Sequence, residues 1–337
     1  MPPAATDLDF VPATGPALEA RVWSLLNPDE ALTPEEVGHQ WRSFERMGSF
    51  EHFAIRSGGE DVGYANTGHL SWEGTEERYA RLGADFLPEQ RSHFNLSAAY
   101  EFVEGRALEA GSKDLIAHVR ESDDFQVLQL RRRGYSGKRI FPWWELDLVE
   151  GRERLLSMAA HSDTKMREAG VELLTLAGGG GLEALLEELV ELQREASLDT
   201  PRDEPHVGVD AETLRIWYTA PGVLEDRFWL ARHEGRIAGL SYLLYHGDRA
   251  WTGWTGTLRR VRGRGVARAL KVRSLVQAAE LGARTARTEN DAENAAILHL
   301  NEELGYRRIP GLIQFHRPAD MALDWNYKRA IFRDLGV

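Results

Sequence analysis

The 337-residue chain contains no cysteine. Disulfides, thiolate-held metals and cysteine nucleophiles are therefore excluded, and the composition suits a reducing cytoplasm, the location expected for it. Long apolar runs are missing too. No stretch approaches the roughly 18 residues needed to span a bilayer, so no membrane partner is expected. The start, Met1-Pro2-Pro3-Ala4-Ala5, has neither a basic region nor an apolar core, and no signal peptide is read there. Positive charge is scarce: 41 Lys and Arg against 53 Asp and Glu give a formal net charge of −12. A general nucleic-acid binder leans the other way, so no nucleic-acid partner is expected. An acidic surface suits a cationic small partner. The histidines show no paired spacing on one helix face, so no metal site is read.

What is present is ordinary globular material, 42% hydrophobic and 28% charged, in a length that suggests about two domains. Strands and helices alternate. In the second half, residues 227–232 read as a strand, His233-Glu234-Gly235-Arg236 as a hairpin turn, and 237–245 and 251–257 as two further strands. Residues 264–281 follow with helical spacing: Ala269, Val272, Val276 and Ala279 share one face. Residues 284–288 form a short strand, and the helix from Asn294 to Leu304 stops at Gly305.

The first half repeats this grammar. Phe53 to Tyr64 mirrors the first hairpin, and Pro88 to Leu96 stands where Arg259 to Ala267 stands. The separation from Arg91 to Gly134 equals that from Arg262 to Gly305, and a tyrosine follows both glycines. We read an internal duplication. The expected domains are 1–149 and 171–318, joined by a helix over 150–170 and followed by a helical tail over 319–337 packed on the body.

The most informative stretch runs from Thr257 to Lys271. A strand ends, a glycine-bearing turn follows, and a helix begins. Helix starts expose unpaired N–H groups and the positive end of the dipole, so they attract phosphate. Gly263, Gly265 and Ala267 let a pyrophosphate approach the backbone, and Arg262, Arg264 and Arg268 add charge. By itself such a turn is equally well a helix start with a solvated basic face. A second element, Thr288-Glu289-Asn290-Asp291-Ala292-Glu293-Asn294, enters the next helix. Asn290 and Asn294 are placed to hydrogen-bond an amide-bearing arm, or to serve only as turn and cap residues.

Together these residues resemble the GNAT superfamily of acyl-CoA N-acyltransferases. The family pattern Arg/Gln-x-x-Gly-x-Gly/Ala is met by Arg262, Gly265 and Ala267. Its later Leu-Gly-aromatic corner is met by Leu304-Gly305-Tyr306, and one branch's Thr-x-Asn-x-x-x-Asn by Thr288, Asn290 and Asn294. The resemblance covers 171–318 well and 7–148 faintly. It implies an α/β (α+β) chain of two tandem GNAT-like domains, each a mixed, splayed central sheet flanked by helices. It implies acetyl-CoA as cosubstrate and no metal. Pyrophosphate would rest on the amides of Gly263, Arg264, Gly265, Val266 and Ala267, with Arg259, Arg262 and Arg268 nearby. Pantetheine would pair with the backbone of Thr257 and Leu258 and lie near Asn290 and Asn294. One of those two backbone N–H groups would polarise the thioester carbonyl.

The implied activity is transfer of an acyl group, expected to be acetyl, to a primary amine of a small molecule or peptide within a ternary complex. The chain departs from the family where a tyrosine usually protonates the leaving thiolate: the aligned residue is Asn301. Tyr306 reads as core. For the base, Asp199 and Glu204 lead and His206 follows, all in the loop after the first helix of the second half; as isolated loop charges they equally read as solvated. Trp251 and Trp254 read as acceptor-pocket or core aromatics. In the first half Phe94 and Leu96 replace Gly265 and Ala267, so that half is expected to be degenerate and structural. Two other readings are a non-catalytic acyl-CoA-binding module and a nucleic-acid binder using Arg259, Arg260, Arg262, Arg264, Arg268, Lys271 and Arg273. The charge balance speaks against the second.

Overall fold

The computed structural model describes residues 7–200 and 208–320. Two compact units are present. One takes the described residues up to Ile140 together with those from Leu312 on; the other is Phe141–Gly311.

The first unit runs β1 (Leu8–Pro12), α1 (Ala17–Leu26), α2 (Pro34–Met47), β2 (Gly48–Ser57), β3 (Glu60–Leu70), β4 (Tyr79–Phe86), α3 (His93–Glu109), β5 (Asp114–Arg120) and α4 (Asp124–Arg132). Strands β1 to β4 are antiparallel neighbours, and β4 turns parallel to β5. The core lies between this sheet and α3, around Ile55, Phe86, Leu96, Tyr100 and Leu115.

The second unit opens with part of β6 (Ser136–Asp147). It continues with α5 (Arg152–Glu168), β7 (Val171–Thr175), α6 (Leu182–Ser197), α7 (Ala211–Tyr218), β8 (Phe228–His233), β9 (Arg236–His246), β10 (Arg249–Thr257), α8 (Val266–Glu280), β11 (Thr285–Glu289) and α9 (Ala295–Leu304). Its sheet copies the first: β7 to β10 antiparallel, then β10 parallel to β11. Local chemistry explains the elements. Leu182, Leu185, Leu186, Leu189 and Leu192 put one apolar face of α6 into the core. The β8–β9 turn has positive φ at both Glu234 and Gly235, as the type I′ hairpin requires.

The sixth strand of each sheet comes from the other repeat. In the first unit β5 pairs antiparallel with residues 312–318 of β12 (Arg307–Pro318). In the second, β11 pairs antiparallel with residues 143–147 of β6. The units therefore part at 140/141 and 311/312, whereas the sequence reading put the joint at 150–170 and an end at 318. The exchange has a physical seat. Phe315 is fully buried in the first core, and Arg317 reaches Glu104 at 3.0 Å beside Arg133. The expected tail helix lies, apart from its first two residues, outside the described residues. No helix among the described residues is long and apolar enough to cross a membrane.

Candidate functional site

Strands β10 and β11 pair only from Arg249 to Trp251 and from Thr285 to Arg287. A bulge between Thr252 and Trp254 then bends β10, which stays on β9 while β11 stays on β6. The two strands part, and a cleft of about 800 Å³ opens between them. Its walls include Trp254 to Thr257, Thr288 to Asn290 and the start of α8. At the mouth of α8 the Leu258 N–H donates to Ala238 C=O at 2.9 Å. Strand alternation then turns the backbone groups of Thr255 and Thr257 away from β9, toward the gap. The Thr257 carbonyl accepts two bonds from Arg262, each 3.2 Å. Its N–H is what remains for a ligand. Leu258, expected to offer backbone to a ligand, has spent its N–H on the sheet.

The turn into α8 is shaped by two left-handed glycines, Gly263 (φ 73°) and Gly265 (φ 86°). Space beside each is open. Conformation rather than crowding demands glycine here. Gly265 is the N-cap and brings no side chain to the helix start. The first helical bond runs from Ala269 N–H to Gly265 C=O. The N–H groups of Val266, Ala267 and Arg268 therefore point out unpaired at the positive end of a 15-residue helix. Such a helix start favours negative charge, and it opens into the cleft.

Of the residues expected to bind a cosubstrate, Thr257, Arg262, Gly263, Gly265, Val266, Ala267, Arg268, Asn290 and Asn294 line the cleft, whereas Leu258, Arg259 and Arg264 do not. Asn294 also caps α9 through Ile297 N–H. Arg264 turns to His233 at 3.4 Å. Arg259 donates to Asp199 at 2.6 and 3.0 Å, and Arg262 donates to the same carboxylate at 2.5 Å. The two guanidiniums, Arg259 first, hold the Asp199 carboxyl well below the usual carboxylate range. A carboxylate so held braces the arginines; it is a poor proton acceptor, which corrects its expected role as base. Glu204 and His206 lie outside the described residues.

A better-placed carboxylate is Glu289, at the end of β11. It lines the cleft and is open to solvent there. Its Oε2 accepts from the Trp143 indole N–H at 2.7 Å. Desolvation pushes its pKa up, and the indole bond pulls the other way. Because water reaches it in the open cleft, a ligand that displaces that water would strengthen the upward shift. Trp143 itself packs edge-on against Trp251 at 4.9 Å, so Trp254 is the tryptophan of β10 that faces the cleft. Sequence reasoning missed Glu289, and also His161 and Lys165, which reach the cleft from α5.

It missed Lys271 as well. This lysine borders the inner end of the cleft, yet it has no solvent-exposed surface. Burial pushes its pKa down from an ordinary 10.5 to about 7. Between those values the unfolded chain binds a proton that the folded chain does not. Stability therefore rises with pH across this window, by up to about 1.4 kcal/mol per unit, and the deficit is fully present below pH 7. Denaturation of the wild type between pH 7.5 and 9.5 is expected to show that slope, and Lys271→Met to lose it.

The matching turn of the first half is closed. Arg91 is held by Asp85 at 2.7 Å and by Asp123. Ser92 caps α3 by accepting from Asn95 N–H at 3.1 Å. Leu96 points into the core and Phe94 is half-buried. Here a side chain caps the helix start and the arginine is spent on two carboxylates. This differs from the expectation that Phe94 and Leu96 occlude the space.

Among the described residues no group of three or more His, Asp or Glu is arranged to hold a metal ion. The profile of the acetyltransferase (GNAT) family matches residues 186–306. Among curated proteins no sequence matches the chain. Among solved structures the chain is similar to a tandem GNAT protein from the clavulanic acid biosynthesis pathway (TM-score 0.69, 18% identity, 94% of this chain and 100% of that one). It is also similar to a GCN5-related N-acetyltransferase from Sphaerobacter thermophilus (0.63, 15%, 94% and 97%). A third is a GNAT-family acetyltransferase from Colwellia psychrerythraea (0.57, 14%, 92% and 99%). At these identities the likeness is one of fold. The acetyltransferase (GNAT) profile thus falls inside the second unit, and the fold of a tandem GNAT protein is shared along 94% of the chain.

Proposed function

We propose that the protein is an acyl-CoA-dependent N-acyltransferase that moves acetyl from acetyl-CoA to a primary amine of a small molecule or peptide, by direct transfer in a ternary complex in the cytoplasm. The observation that carries this reading is the uncapped start of α8 opening into the gap between β10 and β11. That arrangement offers an anion site for a pyrophosphate and a slot for the extended arm attached to it.

In this reading the N–H groups from Gly263 to Arg268 hold the pyrophosphate, with Arg262 and Arg268 beside it. The Thr257 N–H donates to the thioester carbonyl oxygen, where negative charge develops. Glu289 accepts the proton released as the amine nitrogen attacks. The carbonyl carbon gains a bond to nitrogen and loses its bond to sulfur, and coenzyme A departs as thiolate. Among the described residues the other carboxylates on the cleft wall are Asp199, Asp291 and Glu303. Asp199 is paired with two arginines, and Glu303 lies against Arg268 at 3.5 Å.

Titration calorimetry with acetyl-CoA tests the binding half of this reading. One molecule is expected to bind per chain, because the first half's turn is closed. Gly265→Trp places a large side chain at a left-handed position in the cradle and is expected to weaken binding by about 100-fold or more. Two sites per chain would contradict the closed first half. Unchanged binding in the variant would remove the cradle from the account.

A further inference from the structure

The chemistry above leaves a chain of polar side chains unused. Lys271 Nζ donates to Asn301 Oδ1 at 2.6 Å, and Asn301 Nδ2 donates to Asn290 Oδ1 at 2.6 Å. Lys271 and Asn301 have no exposed surface, and Asn290 lines the cleft. The Tyr306 ring lies 5.1 Å from the lysine nitrogen, and burial pushes its hydroxyl pKa up, which keeps it neutral. The order of donors along this chain is fixed by chemistry. The Nζ hydrogen needs an acceptor, and of the two ends of the Asn301 amide only the oxygen accepts. Asn301 must therefore turn its oxygen to Lys271 and its NH2 to Asn290. Asn290 must turn its oxygen inward. Its own NH2 is the end left for the cleft.

We propose that Lys271 is a positioning residue: acting through Asn301, it holds Asn290 as a hydrogen-bond donor to the sulfur of the acyl donor, where negative charge develops as the acyl group leaves. The inference rests on the acyl-transfer reading above and deepens it. Two features favour the sulfur over a neutral amide of the arm. A neutral carbonyl gains little from a donor fixed this firmly, whereas an N–H aligned through a buried lysine and a second amide acts most strongly on developing negative charge. And Asn301 occupies the α9 position where the resemblance expects a tyrosine proton donor, so that position itself supplies no acid.

The balance of the step is simple. The C–S bond breaks and its electron pair goes to sulfur. The thiolate is held by the Asn290 N–H and takes its proton from water after release, as an ordinary thiol pKa near about 8.5 permits. The amine proton goes to Glu289. The two asparagines and the lysine move no proton.

The test uses the full chain, acetyl-CoA and an accepted amine. Lys271→Met is expected to lower kcat by about 100-fold, the lower end for loss of one such donor, with the affinity for coenzyme A unchanged. Its melting temperature should hold or rise, because a fully buried amine is replaced by an apolar chain of similar length. Asn290→Ala, at the cleft wall, should lose a similar factor, and the double variant should lose no more than either alone. Wild-type kcat in Asn290→Ala, a loss confined to coenzyme A affinity, or additive losses in the double variant would each overturn the proposal. Absence of turnover in the wild type would instead overturn the acyl-transfer reading beneath it.

Discussion

Glu289→Gln is expected to lower kcat by about two to four orders of magnitude, with acetyl-CoA binding unchanged. The substitution keeps size and shape and removes the proton acceptor. The glutamine can still accept the Trp143 indole bond through its oxygen, so the cleft wall should hold. The direction of the pKa shift adds a second signature. Desolvation raises the Glu289 pKa above its ordinary 4.5. A base works only when deprotonated. The acid limb of kcat/KM in the wild type should therefore begin at a higher pH than for a carboxylate with an unshifted pKa, and the residual rate of Glu289→Gln should lack that limb. Single-turnover acetyl transfer against pH measures both. A variant with near-normal kcat would pass the base to another group.

The largest effect on stability is expected at Glu104. This carboxylate is buried with two guanidiniums: Arg133 at 2.5 and 2.9 Å and Arg317 at 3.0 Å. The Tyr135 hydroxyl donates to it at 3.1 Å. Removing the negative charge leaves two buried guanidiniums without the carboxylate that bridges them. Glu104→Gln is expected to cost the first unit about 3–5 kcal/mol. Denaturant unfolding read from that unit's transition measures this. Because Arg317 lies on the strand that the second repeat lends to the first sheet, Arg317→Leu tests the same cluster from the other side. It should cost less than Glu104→Gln, since one ion pair remains intact. Equal, near-zero effects would mean that the cluster is not what seats β12.

How much of this was legible in the sequence depended on whether local chemistry decided it. The Glu234-Gly235 turn, the apolar face of α8 and the glycine turn before it are set by residues near one another, and all appear where the pattern puts them. The equal spacing of Arg91–Gly134 and Arg262–Gly305 marks matching positions: each arginine precedes a helix, and each glycine ends one with positive φ. The strand exchange was not legible. β6 and β12 carry similar patterns and fill equivalent slots, so nothing in either says which sheet it joins. For that reason Trp143 was assigned to the first half, and its bond to Glu289 was invisible.

The site was legible in its backbone part and obscure in its acids and bases. Asp199 read as a loop charge because its partners Arg259 and Arg262 are far along the chain. Lys271 was grouped with the basic residues of a helix start, although Ala267, Leu275 and Ala278 place it on the apolar face of α8. That spacing was the signal available for its burial. The polar chain it forms depends on where α9 and the end of β11 meet α8, which no local pattern encodes.

Thiol release from acetyl-CoA across a panel of primary amines, wild type beside Gly265→Trp, is the most direct measurement. Amine-dependent release by the wild type, lost in the variant, is the predicted result. Release that no amine stimulates, or that survives Gly265→Trp undiminished, would contradict the assignment of this cleft as the site of acyl transfer.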